Sequence, residues 1–88
     1  MNEKKPKVVS NLKIIEYIGS LYVTFDGTTI WEMDRLAYEV LKLCDGKHTI
    51  DDIAQELAKA AELPIEDVKT AIKPIFEELE KLKFIEYV

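Results

Sequence analysis

The sequence predicts an α+β fold: a three-stranded antiparallel sheet followed by three helices. Two patterns and their punctuation carry this expectation. Residues 21–25 alternate with period two, and Trp31 and Met33 share a face two residues apart. From residue 34 onward the apolar positions recur at helical 3-4 spacing. Glycine, proline and capping residues fall at the junctions between these runs.

The first run, "KIIEYI" (13–18), is rich in β-branched and aromatic residues, and Gly19-Ser20 marks a turn after it. In "LYVTF" (21–25), Leu21, Val23 and Phe25 share one side, with Tyr22 and Thr24 on the other. Asp26-Gly27 reads as a two-residue hairpin turn, so "TTIWEM" (28–33) is expected to return antiparallel with Trp31 and Met33 on the buried face. Asp34 then caps a helix whose stripe is Ala37, Val40, Leu41 and Cys44, and Gly46 is expected to end it in a left-handed conformation. Thr49, with Asp52 three residues on, resembles a capping box for a second helix that buries Ile53, Ala54, Leu57 and Ala61. Leu63-Pro64 breaks that helix. A third, at about 65–83, opens with Glu66 and Asp67 at its positive end and carries Ile65, Val68, Ile72, Ile75, Leu79 and Leu82 at near-heptad spacing. Pro74 lies inside it and is expected to kink it. "KFIEYV" closes the chain as a short extended piece. Residues 1–10, lysine-rich with one proline, read as a flexible tail before a domain at 11–88.

Composition narrows the function. With 88 residues, 48 % hydrophobic and 33 % charged, the chain is sized for one small globular core. No apolar run reaches the ~20 residues of a membrane helix, and no secretory signal is visible at the N-terminus. One cysteine allows no internal disulfide, in keeping with a reducing cytoplasm. The net charge of −5 is unevenly spread: residues 1–25 carry +2 and residues 26–88 carry −7. Nucleic-acid binding calls for a basic footprint, and the folded part has none.

Cys44, Asp45 and His48 fall within five residues of one another. Cys44 fits the buried stripe, His48 sits on a loop, and an Asp on a helix-ending turn bonds local backbone, so we read the cluster as a structural corner. A single Cys and a single His do not make a metal site. No phosphate-binding loop, zincin motif or acid–base–nucleophile set occurs, so the chain reads as a binder that is not an enzyme and needs no cofactor. The expected binding surface is the edge strand Thr28, Thr29, Ile30, Trp31, Glu32 and Met33, whose free backbone groups can accept a peptide as one more strand. The third helix would form the facing wall, with Lys69, Lys73 and Lys83 toward an acidic peptide and Ile72 and Phe76 as apolar surface.

"EMDRLAYEVLKLCDGKHTIDDIAQEL" resembles the PqqD family. The shared features are a capped helix start at Met33-Asp34, a helix end at Leu43-Cys44-Asp45-Gly46, and a Thr49-initiated helix running through Ile53-Ala54. "LYVTFDGTTIWEM" is similar to the family's second and third strands, and "DVKTAIKPIFEELEKLKFIE" to its last helix. The family's cap Asn is Asp34 here, and "VTFDG" stands where the quinone-cofactor branch has Tyr-Pro-Glu-Gly. The β-β-β-α-α-α layout has the content of a small winged-helix domain with its strands placed first, and the resemblance implies a RiPP recognition element. Such a domain is a peptide chaperone that binds the leader of a ribosomally made precursor peptide along the third strand, in the groove beside the third helix, and presents it to a modifying enzyme, often a radical SAM protein. A monomer or a weak homodimer is expected.

The residues leave two other readings open. One is a winged-helix DNA-binding regulator, because the helices around Gly46 have the form of a helix-turn-helix. Against it, residues 65–83 carry four lysines and five acidic groups, a poor groove reader. The other is a protein-interaction adaptor that binds an enzyme without a leader.

Overall fold

The computed structural model describes residues 4–88. Strands β1 (Pro6–Val8), β2 (Lys13–Tyr17), β3 (Ser20–Thr24) and β4 (Ile30–Met33) precede helices α1 (Arg35–Lys42), α2 (Ile50–Ala61) and α3 (Ile65–Lys81), and β5 (Ile85–Tyr87) ends the chain. β2, β3 and β4 form an antiparallel meander in that order, and β1 pairs with β5 in a separate two-stranded sheet. No helix among the described residues is long and apolar enough to cross a membrane.

The period-two pattern puts Leu21 and Val23 of β3 opposite Met33 and Trp31 of β4 on the inner face. The helices cover that face with Val40 and Leu41 of α1, Ile53, Ala54 and Ala58 of α2, and Val68, Ile72, Phe76 and Leu79 of α3. Leu57 is only partly buried and Ala61 is exposed, so the α2 stripe is narrower than its spacing suggests. All five residues of β2 are exposed. The helical layer stops short of this strand, and β2 is held by its ladder to β3.

The two hairpins turn differently from the sequence expectation. The tight two-residue turn is the one between β2 and β3, where Tyr17 pairs with Ser20 around Ile18 (φ +47°) and Gly19 (φ +78°). The Asp26-Gly27 segment belongs to a longer loop, since Thr24 pairs with Ile30. Hydrogen bonding explains this. The Asp26 carboxylate accepts from the Thr28 N–H (2.8 Å) and the Thr29 N–H (3.0 Å). The buried Thr24 hydroxyl accepts from the Gly27 N–H (2.9 Å) and donates to the Thr29 carbonyl (2.7 Å). Backbone groups satisfied inside the loop do not join a ladder, so the strand begins at Ile30 and not at residue 28.

The helix ends follow capping chemistry. The Asp34 carboxylate accepts from the Ala37 N–H at 2.8 Å. Thr49 and Asp52 form the reciprocal capping box, with both bonds at 3.0 Å. Gly46, however, is not the residue that ends α1. The helix closes at Leu43, and Gly46 (φ +80°) lies further on, where its N–H donates to the Pro6 carbonyl at 2.9 Å.

That contact belongs to a seam the tail expectation missed. Residues 1–3 of the expected tail lie outside the described residues, but 6–8 form β1. Pro6 pairs with Tyr87 and Val8 with Ile85, the Val8 N–H donates to the Cys44 carbonyl, and Pro6 is fully buried. Pro6 opens its strand, where a missing N–H costs no ladder bond.

Candidate groove between the edge strand and the last helix

β4 is the outer strand of its sheet. In an antiparallel pair only every second residue exchanges backbone bonds with its neighbour, so the others present N–H and C=O groups outward. Among the described residues, no backbone group of Ile30–Met33 bonds outside the β3 ladder. The edge is therefore available for a further strand.

α3 forms the facing wall. Val68, Ile72, Phe76 and Leu79 turn into the core, which brings Pro74, Ile75, Glu78 and Leu82 alongside β4. Together with Trp31, Glu32, Met33, Asp34, Ala37, Leu79 and Phe84, they line an open groove of about 330 Å³. The helix runs through Pro74 without a break in its assigned span. Proline supplies no N–H, so the Thr70 carbonyl lacks its usual amide partner at this turn. α3 ends at Lys81. Lys83 then takes a left-handed conformation (φ +63°), and the Phe84 N–H reaches back to the Leu79 carbonyl at 3.0 Å. This closure carries Phe84 to the groove floor.

The floor is aromatic. Trp31 stands edge-on to Phe84 (centroids 5.2 Å apart, 76°) and to Phe25 (6.2 Å, 83°), and Phe25 and Phe84 complete the cluster at 5.6 Å. Such edge-to-face pairs add about 0.5–1.5 kcal/mol each beyond burial. They fix the orientation of the half-buried Trp31.

The expected site residues divide into three groups. Ile30, Trp31, Glu32 and Met33 form the edge strand, and Trp31, Glu32 and Met33 line the groove. Thr28 and Thr29 sit in the preceding loop with their amides committed to Asp26. On α3 the structure corrects the expectation. Ile72 is 1 % and Phe76 3 % exposed, so both are core side chains, and neither lines the groove. Lys69 Nζ lies 3.5 Å from Asp51 on α2. Lys69, Lys73 and Lys83 are not among the groove residues. The groove residues the sequence reading did not name for the site are Asp34, Pro74, Glu78 and Phe84, together with Ala37, Ile75, Leu79 and Leu82, which it assigned to buried helix stripes. The available signal was the width of the α3 stripe: six apolar positions plus Phe76 are more than one helix face can bury.

The Cys44 corner is structural. The Cys44 thiol is buried and donates to the Val40 carbonyl at 3.3 Å; burial first, then the charge of Asp45, pushes its pKa up to about 12. The Asp45 carboxylate lies 2.9 Å from His48 Nδ1 and accepts from the Lys47 N–H at 2.8 Å. These two bonds, His48 foremost, hold the Asp45 carboxyl below its usual pKa. Among the described residues no three His, Cys, Asp or Glu side chains gather at metal-binding distance.

A family model described as "Coenzyme PQQ synthesis protein D (PqqD)" matches residues 22–85. No curated protein sequence matches the chain. Among solved structures, the fold matches the solution NMR structure of the PqqD truncation of Methylobacterium extorquens PqqCD, described as a functional and stand-alone RiPP recognition element. The TM-score is 0.76 at 22 % identity, over 92 % of this chain and 87 % of that one. At that identity the likeness shows the fold.

Proposed function

Because the chain belongs to the PqqD family, we propose that it is a peptide-recognition element that takes the leader of a ribosomally synthesised precursor by strand addition to β4. In this reading it presents the bound precursor to a modifying enzyme of the radical SAM class and performs no chemistry itself. One observation supports it above the others: an edge strand with unspent backbone groups forms one wall of an apolar groove, and an exposed helix face forms the other.

The energetics suit delivery. A four-residue edge has two residues whose N–H and C=O point outward, so it offers up to four backbone bonds, each contributing about 1 kcal/mol net. Burial of two or three apolar side chains on Trp31, Ile75 and Leu82 adds about 1.5–3 kcal/mol each before the ordering cost of the peptide. The balance suits affinities near micromolar, about −8 kcal/mol, tight enough to capture and weak enough to release.

The test is a titration of the 15N-labelled chain with the leader of the precursor peptide encoded beside its gene. Amide shifts are expected to concentrate at residues 30–33 and 75–82, with a change in Trp31 fluorescence. Binding that leaves these residues unmoved, or no binding by the leader, overturns the proposal.

A further inference from the structure

Every charged residue that lines the groove is acidic. Glu32 lies on β4, Asp34 follows it at the groove's end, and Glu78 stands on the α3 wall; among the described residues no Lys or Arg lines it. Among the described residues, none of these three carboxylates has a cationic side chain within ion-pair distance, whereas Glu39 and Asp51 elsewhere do. We propose that the groove selects a cationic segment: an extended peptide with apolar residues at alternate positions and Lys or Arg between and beside them. This inference rests on the strand-addition reading and adds the chemical class of its occupant.

Strand geometry assigns the positions. Glu32 pairs with Tyr22, and the neighbouring pair Met33–Leu21 faces the core, so Glu32 lies on the outer face of the sheet. In a strand added beside β4, outer-face side chains come within about 5 Å of their neighbours on β4, within reach of a basic group opposite Glu32. Inner-face side chains enter the groove against Trp31, Ile75 and Leu82, where Glu78 meets a second basic group. Asp34 spends one oxygen on the Ala37 N–H, so only its second is open to the peptide. An acidic peptide would bring like charges opposite Glu32 and Glu78, which disfavours that register. The −7 charge of residues 26–88 acts in the same direction at longer range and is screened by salt.

A random 12-residue peptide display library, panned against the full chain and against its Glu32→Lys/Glu78→Lys variant, tests this. Both side chains are exposed and make no hydrogen bond or ion pair within the described chain, so the variant retains the fold. Enriched peptides are synthesised and titrated into the 15N-labelled protein. The expected result is Lys- or Arg-bearing peptides that shift residues 30–33 and 75–82, weaken as salt rises, and bind wild type about fivefold or more tightly than the variant, the scale of two exposed charge pairs. Enriched peptides that shift the same amides but are neutral or acidic overturn the cationic preference and leave the groove reading standing. Failure of all enriched peptides to shift those amides, or failure to enrich any, overturns the groove reading and this inference with it.

Discussion

Ile18 occupies the first position of the β2–β3 turn at φ +47°, ahead of Gly19 at φ +78°. Two successive positive φ values describe the primed turn whose twist suits a two-residue hairpin, and Asn-Gly is the sequence that best meets it. A β-branched residue there is a genuine outlier, costing about 1–2 kcal/mol relative to a residue that tolerates the left-handed region. The side chain recovers little of this, because Ile18 is 83 % exposed. Full burial of an isoleucine contributes about 1.5–3 kcal/mol, so the covered fraction contributes about 0.3–0.5 kcal/mol. Ile18→Asn is therefore expected to stabilise the fold by about 1 kcal/mol, or about 4–8 °C in Tm for a domain of this size. Urea and thermal melts followed by far-UV circular dichroism measure it, with an unchanged urea m-value as the check that only stability has moved. Ile18→Gly separates the causes: it removes the strain but adds backbone freedom to the unfolded chain, and should fall between Asn and wild type. A lower Tm for Ile18→Asn would refute the reasoning, since Ile18 would then contribute contacts that its exposure does not show.

Three further outcomes follow from the same structure. Gly46→Ala places a Cβ 3.2 Å from Lys7 Cδ and 3.3 Å from Val88 Cγ2 at φ +80°, and should cost about 1–2 kcal/mol in urea melts, with early loss of amide protection in β1 and β5. Cys44, buried with its pKa near 12, should resist iodoacetamide at pH 8 in the native protein and react once urea unfolds it; mass spectrometry reads both states. Asp26, held low chiefly by the Thr28 and Thr29 amides, and Asp45, held low chiefly by His48, have folded pKa values below their unfolded ones. Their stabilisation is thus complete above about pH 4 and is lost as pH falls through the lowered folded values, so Asp26→Asn should flatten the acid limb of the stability–pH curve.

Much of this protein is local chemistry and was legible in the sequence. The inward Leu21 and Val23 of β3, the Asp34 cap and the Thr49–Asp52 capping box depend on neighbours within a few residues, and the structure has each where the pattern put it; α2 stops at Ala61 with Glu62 left-handed, just ahead of the expected break at Leu63-Pro64. The edge position of β4 followed from hairpin connectivity alone. What only the tertiary structure decided depends on partners distant in sequence. Residues 6–8 became a strand because β5 and the Cys44–Gly46 corner supply hydrogen-bond partners about 80 and 40 positions away, which no local signal near Pro6 carries. Asp26-Gly27 looked like the tight turn because its composition is right, but the buried Thr24 hydroxyl and the Asp26 carboxylate together satisfy the loop and hold it open to residue 29. Which face of α3 meets solvent was decided by its rotation against the core. Spacing marks one broad apolar stripe, and only packing against the sheet and the other helices assigns Ile72 and Phe76 to the interior and Pro74, Ile75, Glu78 and Leu82 to the groove. That rotation also sets the sign of the α3 wall: it leaves Lys69 beside Asp51 and brings Glu78 into the groove alongside β4.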